Sequence, residues 1–79
     1  MTTTENQSRI SELLIEVFLE KGLTAPALEP VTVLDQIGLE SLDFAQVVIR
    51  MEELTGKDPF ATGADYEIRT LADLSALYD

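Results

Sequence analysis

The 79 residues carry 15 acidic and 5 basic side chains, a net charge of −10, with no cysteine and no histidine. Lacking histidine, the chain has neither the usual general base nor the usual metal ligand. Lacking cysteine, it has neither a disulfide staple nor a thiol nucleophile. The composition therefore speaks against a self-contained enzyme, and no catalytic residue or metal ligand is expected.

So much negative charge repels nucleic acid and anionic membrane surfaces, and favours partners that present Lys and Arg. The apolar fraction, 46%, is too high for a disordered acidic tail. The length suits a single domain over residues 1–79, with a marginal core, because a domain of this size buries only ~60% of its unfolded surface. No run approaches the ~20 apolar residues of a membrane span. The start, "MTTTENQSR", has no basic n-region and no apolar h-region. A cytoplasmic monomer is expected.

Residues 1–7 are polar and read as frayed. From Ser8 the pattern turns helical: Ile10, Leu13, Leu14, Val17 and Phe18 fall at i, i+3, i+4, i+7 and i+8. Glu12, Glu16 and Glu20 form a like-charged strip on another face. Lys21 suits a helix C-terminus and Gly22 a left-handed cap. Residues 23–40 contain Pro26 and Pro30 and little periodicity, so they predict a long connection, pinned to the core by Val31, Val33, Leu34, Ile37 and Leu39. A connection this long in a small domain is often functional. "VTVL" suggests a short strand without an evident partner.

The second helix is predicted from Ser41 to about Thr55, with Gly56 as its C-terminal cap and Pro59 beyond it. "DYEIRT" has room for one or two turns. Thr70 is placed to cap a last helix carrying Leu71, Leu74 and Tyr78 on one face, with Asp73 in the capping-box position. Tyr66 and Tyr78 are assigned to packing. The expected fold is all-α, a small antiparallel bundle of three main helices and one short one, with a long loop between helices one and two.

At about 100° per residue, Phe44, Val47, Val48, Met51 and Leu54 share one side of the second helix and predict its core face. Leu42 and Ile49 fall nearly opposite, beside Gln46 and Glu53. An apolar pair rimmed by charge has the character of a docking surface. Ser41 opens this helix. An N-cap serine satisfies one orphan N–H and contributes ~1 kcal/mol. A cap alone accounts neither for the outward apolar pair nor for the long loop feeding this point. The N–H groups and dipole of a helix start also favour a negative group attached there. Glu40 and Asp43 oppose free phosphate at this place, whereas a covalent bond would survive their repulsion.

"GLESLDFAQVVIRMEELTG", residues 38–56, resembles the modification site and second helix of acyl carrier proteins. The family pattern is Gly-x-Asp-Ser-Leu followed by an acidic helix ending in paired glutamates. Gly38, Ser41, Leu42, Asp43, Glu52 and Glu53 match it in place, and Glu40 stands where the family usually has Asp. The resemblance extends more loosely over the whole chain through its length, its acidity and its long first loop. It implies a chain that is not an enzyme, with Ser41 carrying 4′-phosphopantetheine donated by coenzyme A through a phosphopantetheinyl transferase. The thiol of that arm would hold an acyl or aminoacyl group as a thioester, which accounts for the missing cysteine.

The implied partners are an acyl- or aminoacyl-loading ligase or transferase, a synthase, and downstream enzymes with basic docking surfaces, in fatty acid, polyketide or related biosynthesis. Glu40, Leu42, Asp43, Gln46, Ile49, Glu52 and Glu53 would form the docking face. The alternatives are a stand-alone aminoacyl or peptidyl carrier, or an acidic helical interaction module with no prosthetic group. No stretch supplies the EF-hand ligand pattern. Arg50 lies within helical reach of Gln46 and Glu53.

Overall fold

The computed structural model describes residues 5–61 and 67–79. Among them the architecture is all-helical: α1 (Glu5–Glu20), a 3₁₀ turn at Leu34–Gln36, α2 (Ser41–Thr55) and α3 (Leu71–Ala76). The extra turn expected in "DYEIRT" falls partly on Asp65 and Tyr66, which lie outside the described residues. Glu67, Ile68 and Arg69 are not helical. Besides α3, the short helical element is instead the 3₁₀ turn within the long loop.

α1 buries Ile10, Leu13, Leu14, Val17 and Phe18, the five positions that its periodicity singles out. The helix starts earlier than expected, because Glu5 to Gln7 are helical rather than frayed. Tertiary contacts hold that first turn. Asn6 Nδ2 donates to the Tyr78 carbonyl at 3.1 Å and to Asp79 Oδ1 at 2.7 Å; within the helix, Arg9 also pairs with Glu5 at 2.8 Å. At the other end the Leu23 N–H donates to the Phe18 carbonyl at 2.8 Å and the Gly22 N–H to the Leu19 carbonyl at 3.0 Å. That bond pair is a Schellman cap closed by Gly22.

The loop from 21 to 40 is tied down at several places. Leu34 is buried, and Leu28, Ile37 and Leu39 pack on the core. Val31 departs from expectation, being 74% exposed. It precedes the residues whose backbone is bound: the Leu71 N–H donates to the Thr32 carbonyl at 3.0 Å, and the Ala72 N–H to the Pro30 carbonyl at 2.9 Å. The loop thus satisfies two of the orphan donors that start α3. Val33 forms an isolated antiparallel bridge with Thr70, which is all that remains of the suggested strand.

Thr70 Oγ1 accepts the Asp73 N–H at 3.2 Å, and Asp73 Oδ2 accepts the Thr70 N–H at 3.1 Å. This is the anticipated capping box, closed by a shorter acid than the usual Glu. α3 buries Leu71 and Leu74 with Tyr78 just beyond it, and α1 packs on both α2 and α3. No helix among the described residues is long and apolar enough to cross a membrane.

On α2 the core face is narrower than the helical wheel implies. Val47 and Met51 are buried, Phe44 and Val48 are partly buried against the core, and Leu54 is 53% exposed. Leu54 therefore does not belong to the core. It lies at the edge of the apolar arc, in the last turn before Gly56.

Candidate functional site

The loop reaches α2 through a glycine that the geometry requires. Gly38 has φ +88°, in the left-handed region that side chains avoid. Two residues on, the chain is extended at Glu40 (φ −99°, ψ 167°) and turns into α2. Glu40, not Ser41, is therefore the N-cap. The Glu40 carbonyl accepts the Asp43 N–H at 3.0 Å and the Phe44 N–H at 3.3 Å, and Asp43 Oδ2 accepts the Glu40 N–H at 2.9 Å. The sequence favours serine for the cap on propensity, but with a carboxylate three residues after Glu40 the cap moves one residue back.

Ser41 is left with no structural task. It is exposed, occupies the first turn of α2, and its hydroxyl has no hydrogen-bond partner among the described residues. No backbone acceptor is found there for the N–H groups of Ser41 and Leu42. These open donors at a helix start favour negative charge.

Beside Ser41 lies an open cavity of ≈ 380 Å³, within the range of small-molecule sites. Leu34 and Leu39 from the loop, Phe44 and Val48 from α2, and Phe60, Ile68 and Leu74 from the C-terminal part line it, with Asp35 and Ser41 as the polar members. Ser41, Phe44 and Val48 stand at i, i+3 and i+7, on one stripe of α2. Sequence reasoning gave Phe44 and Val48 to the core and missed that this stripe starts at the serine. That spacing was the available signal.

The predicted docking residues separate into two groups. Leu42 and Ile49 are 73% and 55% exposed, and Glu40, Gln46, Glu52 and Glu53 are exposed around them. Leu54 adds a third exposed apolar side chain to α2. Asp43 is different: its side chain is only 13% exposed and pairs with Lys21 Nζ at 2.8 Å. The Lys21 hydrogen bond, then the bond from the Glu40 backbone, hold the Asp43 carboxyl below its ordinary value. The same bond raises Lys21 above its own. Arg50 is exposed and forms no ion pair among the described residues, with Glu53 or otherwise. No group of three acidic side chains there is arranged to hold a metal ion.

No protein-family model matches the chain, and no match is found among curated proteins. Among solved structures it is similar to that of MacpD, an acyl carrier protein from Pseudomonas fluorescens involved in mupirocin biosynthesis. The identity is 33% and the TM-score 0.78, over 91% of this chain and 66% of that one. The chain thus spans just under two thirds of that protein's length.

Proposed function

We propose that this chain, similar to an acyl carrier protein over 91% of its length, is itself a carrier of that family, armed with 4′-phosphopantetheine on Ser41 and carrying thioester-bound acyl groups between partner enzymes. The observation that carries the reading is the placement of Ser41. An exposed hydroxyl with no bond to lose stands on the first turn of a helix, at the mouth of an apolar cavity.

The residues around Ser41 fit such a group. The unpaired N–H groups of the first turn of α2 suit a phosphodiester, and Lys21 offsets the charge of Asp43 next to it. When bound, the arm supplies the thiol that this cysteine-free chain lacks. The chain's own part is to anchor, shelter and present. Leu39, Phe44, Val48 and Ile68 offer an apolar lining that excludes water from a methylene chain. That lining favours an acyl cargo over an aminoacyl one, whose ammonium group would be desolvated there.

Leu42, Ile49 and Leu54, with Gln46 and the carboxylates of Glu40, Glu52 and Glu53, form the face that meets successive enzymes. Asp43 acts from within, holding the turn that carries Ser41. Docking of this kind gives fast, salt-sensitive association rather than tight binding. The partners are a phosphopantetheinyl transferase, a loading ligase or transferase, and a synthase, each with a basic docking surface. The similarity to a carrier of mupirocin biosynthesis supports a place in acyl-chain biosynthesis.

The test is intact mass after incubation with coenzyme A and a broad-specificity phosphopantetheinyl transferase. A phosphopantetheine-sized gain that disappears in Ser41→Ala supports the reading. A gain that survives in Ser41→Ala places the arm elsewhere, and no gain in the parent chain leaves the unmodified interaction module.

A further inference from the structure

α1 presents a second exposed face that the handling of Ser41 does not use. The buried residues Ile10, Leu13, Leu14, Val17 and Phe18 define its inner side. At about 100° per residue, Ile15 and Leu19 point the opposite way. They are 40% and 67% exposed, and Leu23, just past the Gly22 cap, is 46% exposed. Alongside them run Glu12, Glu16 and Glu20, one turn apart and all exposed. None of the three forms an ion pair among the described residues: Arg9 is taken by Glu5 and Lys21 by Asp43, and Arg50 of α2, which lines one small groove with Glu16 and Glu20, pairs with neither.

α1 therefore bears two unfavourable features side by side. Its apolar ridge stays in water, and its like charges at i, i+4, offset by no ion pair among the described residues, are mildly destabilising. One kind of partner relieves both. We propose that the Ile15–Leu19 ridge with the Glu12–Glu16–Glu20 strip is a second protein-docking surface, for a partner whose apolar patch is flanked by Lys and Arg. A second copy of this chain, at −10, is repelled by the same strip. So is an anionic membrane surface. The ridge lies on α1, whereas Leu42 and Ile49 lie on α2. Glu16 and Glu20 border the groove that Gln46 also lines, but a partner seated on the Ile15–Leu19 ridge leaves Leu42 and Ile49 open to another, so the carrier can stay attached to one enzyme while it meets the next.

The proposal does not depend on modification of Ser41, so it is tested on Ser41→Ala. The probe is a synthetic amphipathic helix of about five turns, with leucines at i, i+3, i+4 and i+7 and Lys and Arg on the flanks. It is titrated while backbone amide resonances are followed. Shifts centred on Ile15, Glu16, Leu19 and Glu20 are expected. Leu19→Ser should weaken that site about tenfold, in keeping with the loss of one buried leucine. The paired change Glu16→Gln with Glu20→Gln should weaken it at low salt only. Leu42→Ser should leave it unchanged. All these side chains are exposed, and circular dichroism checks that each variant folds. Shifts confined to α2, no shifts, or an affinity indifferent to Leu19→Ser overturn the proposal. So does a concentration-dependent dimer of the chain alone that Leu19→Ser abolishes.

Discussion

Lys21 Nζ lies 2.8 Å from Asp43 Oδ2, and the same oxygen accepts the Glu40 N–H at 2.9 Å. One carboxylate therefore joins the end of α1 to the turn that presents Ser41. The pair spans 22 positions of sequence, and only the packing of α1 on α2 makes it.

This bond and its counterpart in α3 set the acid limb of stability. Asp43 is held below its ordinary 3.8 chiefly by Lys21, and Asp73 chiefly by the Thr70 backbone, then that of Arg69. A carboxyl depressed in the folded state contributes stability above its unfolded value and loses it as pH falls through the folded value. Asp43→Asn and Asp73→Asn should each lower the melting temperature at neutral pH. The gap to the parent should hold down to about pH 4 and close below it. Lys21 is shifted the other way, so its contribution is present below 10.5 and lost as pH rises through its raised value. A gap that stays open at low pH in both variants would mean that they act through shape rather than charge.

Truncations on α2 should divide by burial. Met51 is fully buried, and Met51→Ala should cost ~2–5 kcal/mol. Leu54→Ala and Ile49→Ala, at half-exposed sites, should stay within about 0.5 kcal/mol or little more. Chemical denaturation of the three variants checks the order, and a Leu54 loss equal to that of Met51 would put Leu54 back in the core.

Tyr78 offers a sharper case. It is 2% exposed, and its hydroxyl finds no hydrogen-bond partner among the described residues. Burial, then the charges of Asp58 and Glu52, push its pKa up to about 12. A buried unpaired hydroxyl carries its desolvation cost without return. Tyr78→Phe should therefore leave the melting temperature unchanged or raise it, whereas Tyr78→Ala should cost ~3–5 kcal/mol as the ring is lost. A clear loss on Tyr78→Phe would reveal a partner for the hydroxyl.

Much of this fold was legible because its signals are local. The five buried apolar positions of α1, the span of α2, the Gly22 and Gly56 caps and the Thr70–Asp73 box all follow from spacing within a few residues. What escaped depends on distant chain. The first turn of α1 is held by Tyr78 and Asp79 from the other terminus. Leu54 sits at the edge of an arc whose cover the sequence does not specify. Asp43 reads as a docking acid until Lys21 is seen against it. The serine was legible as a candidate site, but its setting was not. Leu42 and Ile49 drew attention to the outer face, while the cavity opens along Phe44 and Val48.

Salt should raise stability and weaken docking together. Among the described residues only two ion pairs offset the 15 acids. Self-repulsion is therefore screened as the Debye length falls from ~30 Å at ~0.01 M to ~10 Å at ~0.1 M. Melting curves at low and moderate sodium chloride, beside a binding titration with a basic partner at the same salts, should move in opposite senses. A melting temperature flat in salt would show the acids already compensated.

The most direct measurement is peptide mapping by mass spectrometry of the chain purified from its native host. The peptide containing Ser41 should carry phosphopantetheine, part of it with an acyl group that hydroxylamine releases. A Ser41 peptide found only unmodified, in a host whose known carrier proteins are armed, would contradict the account.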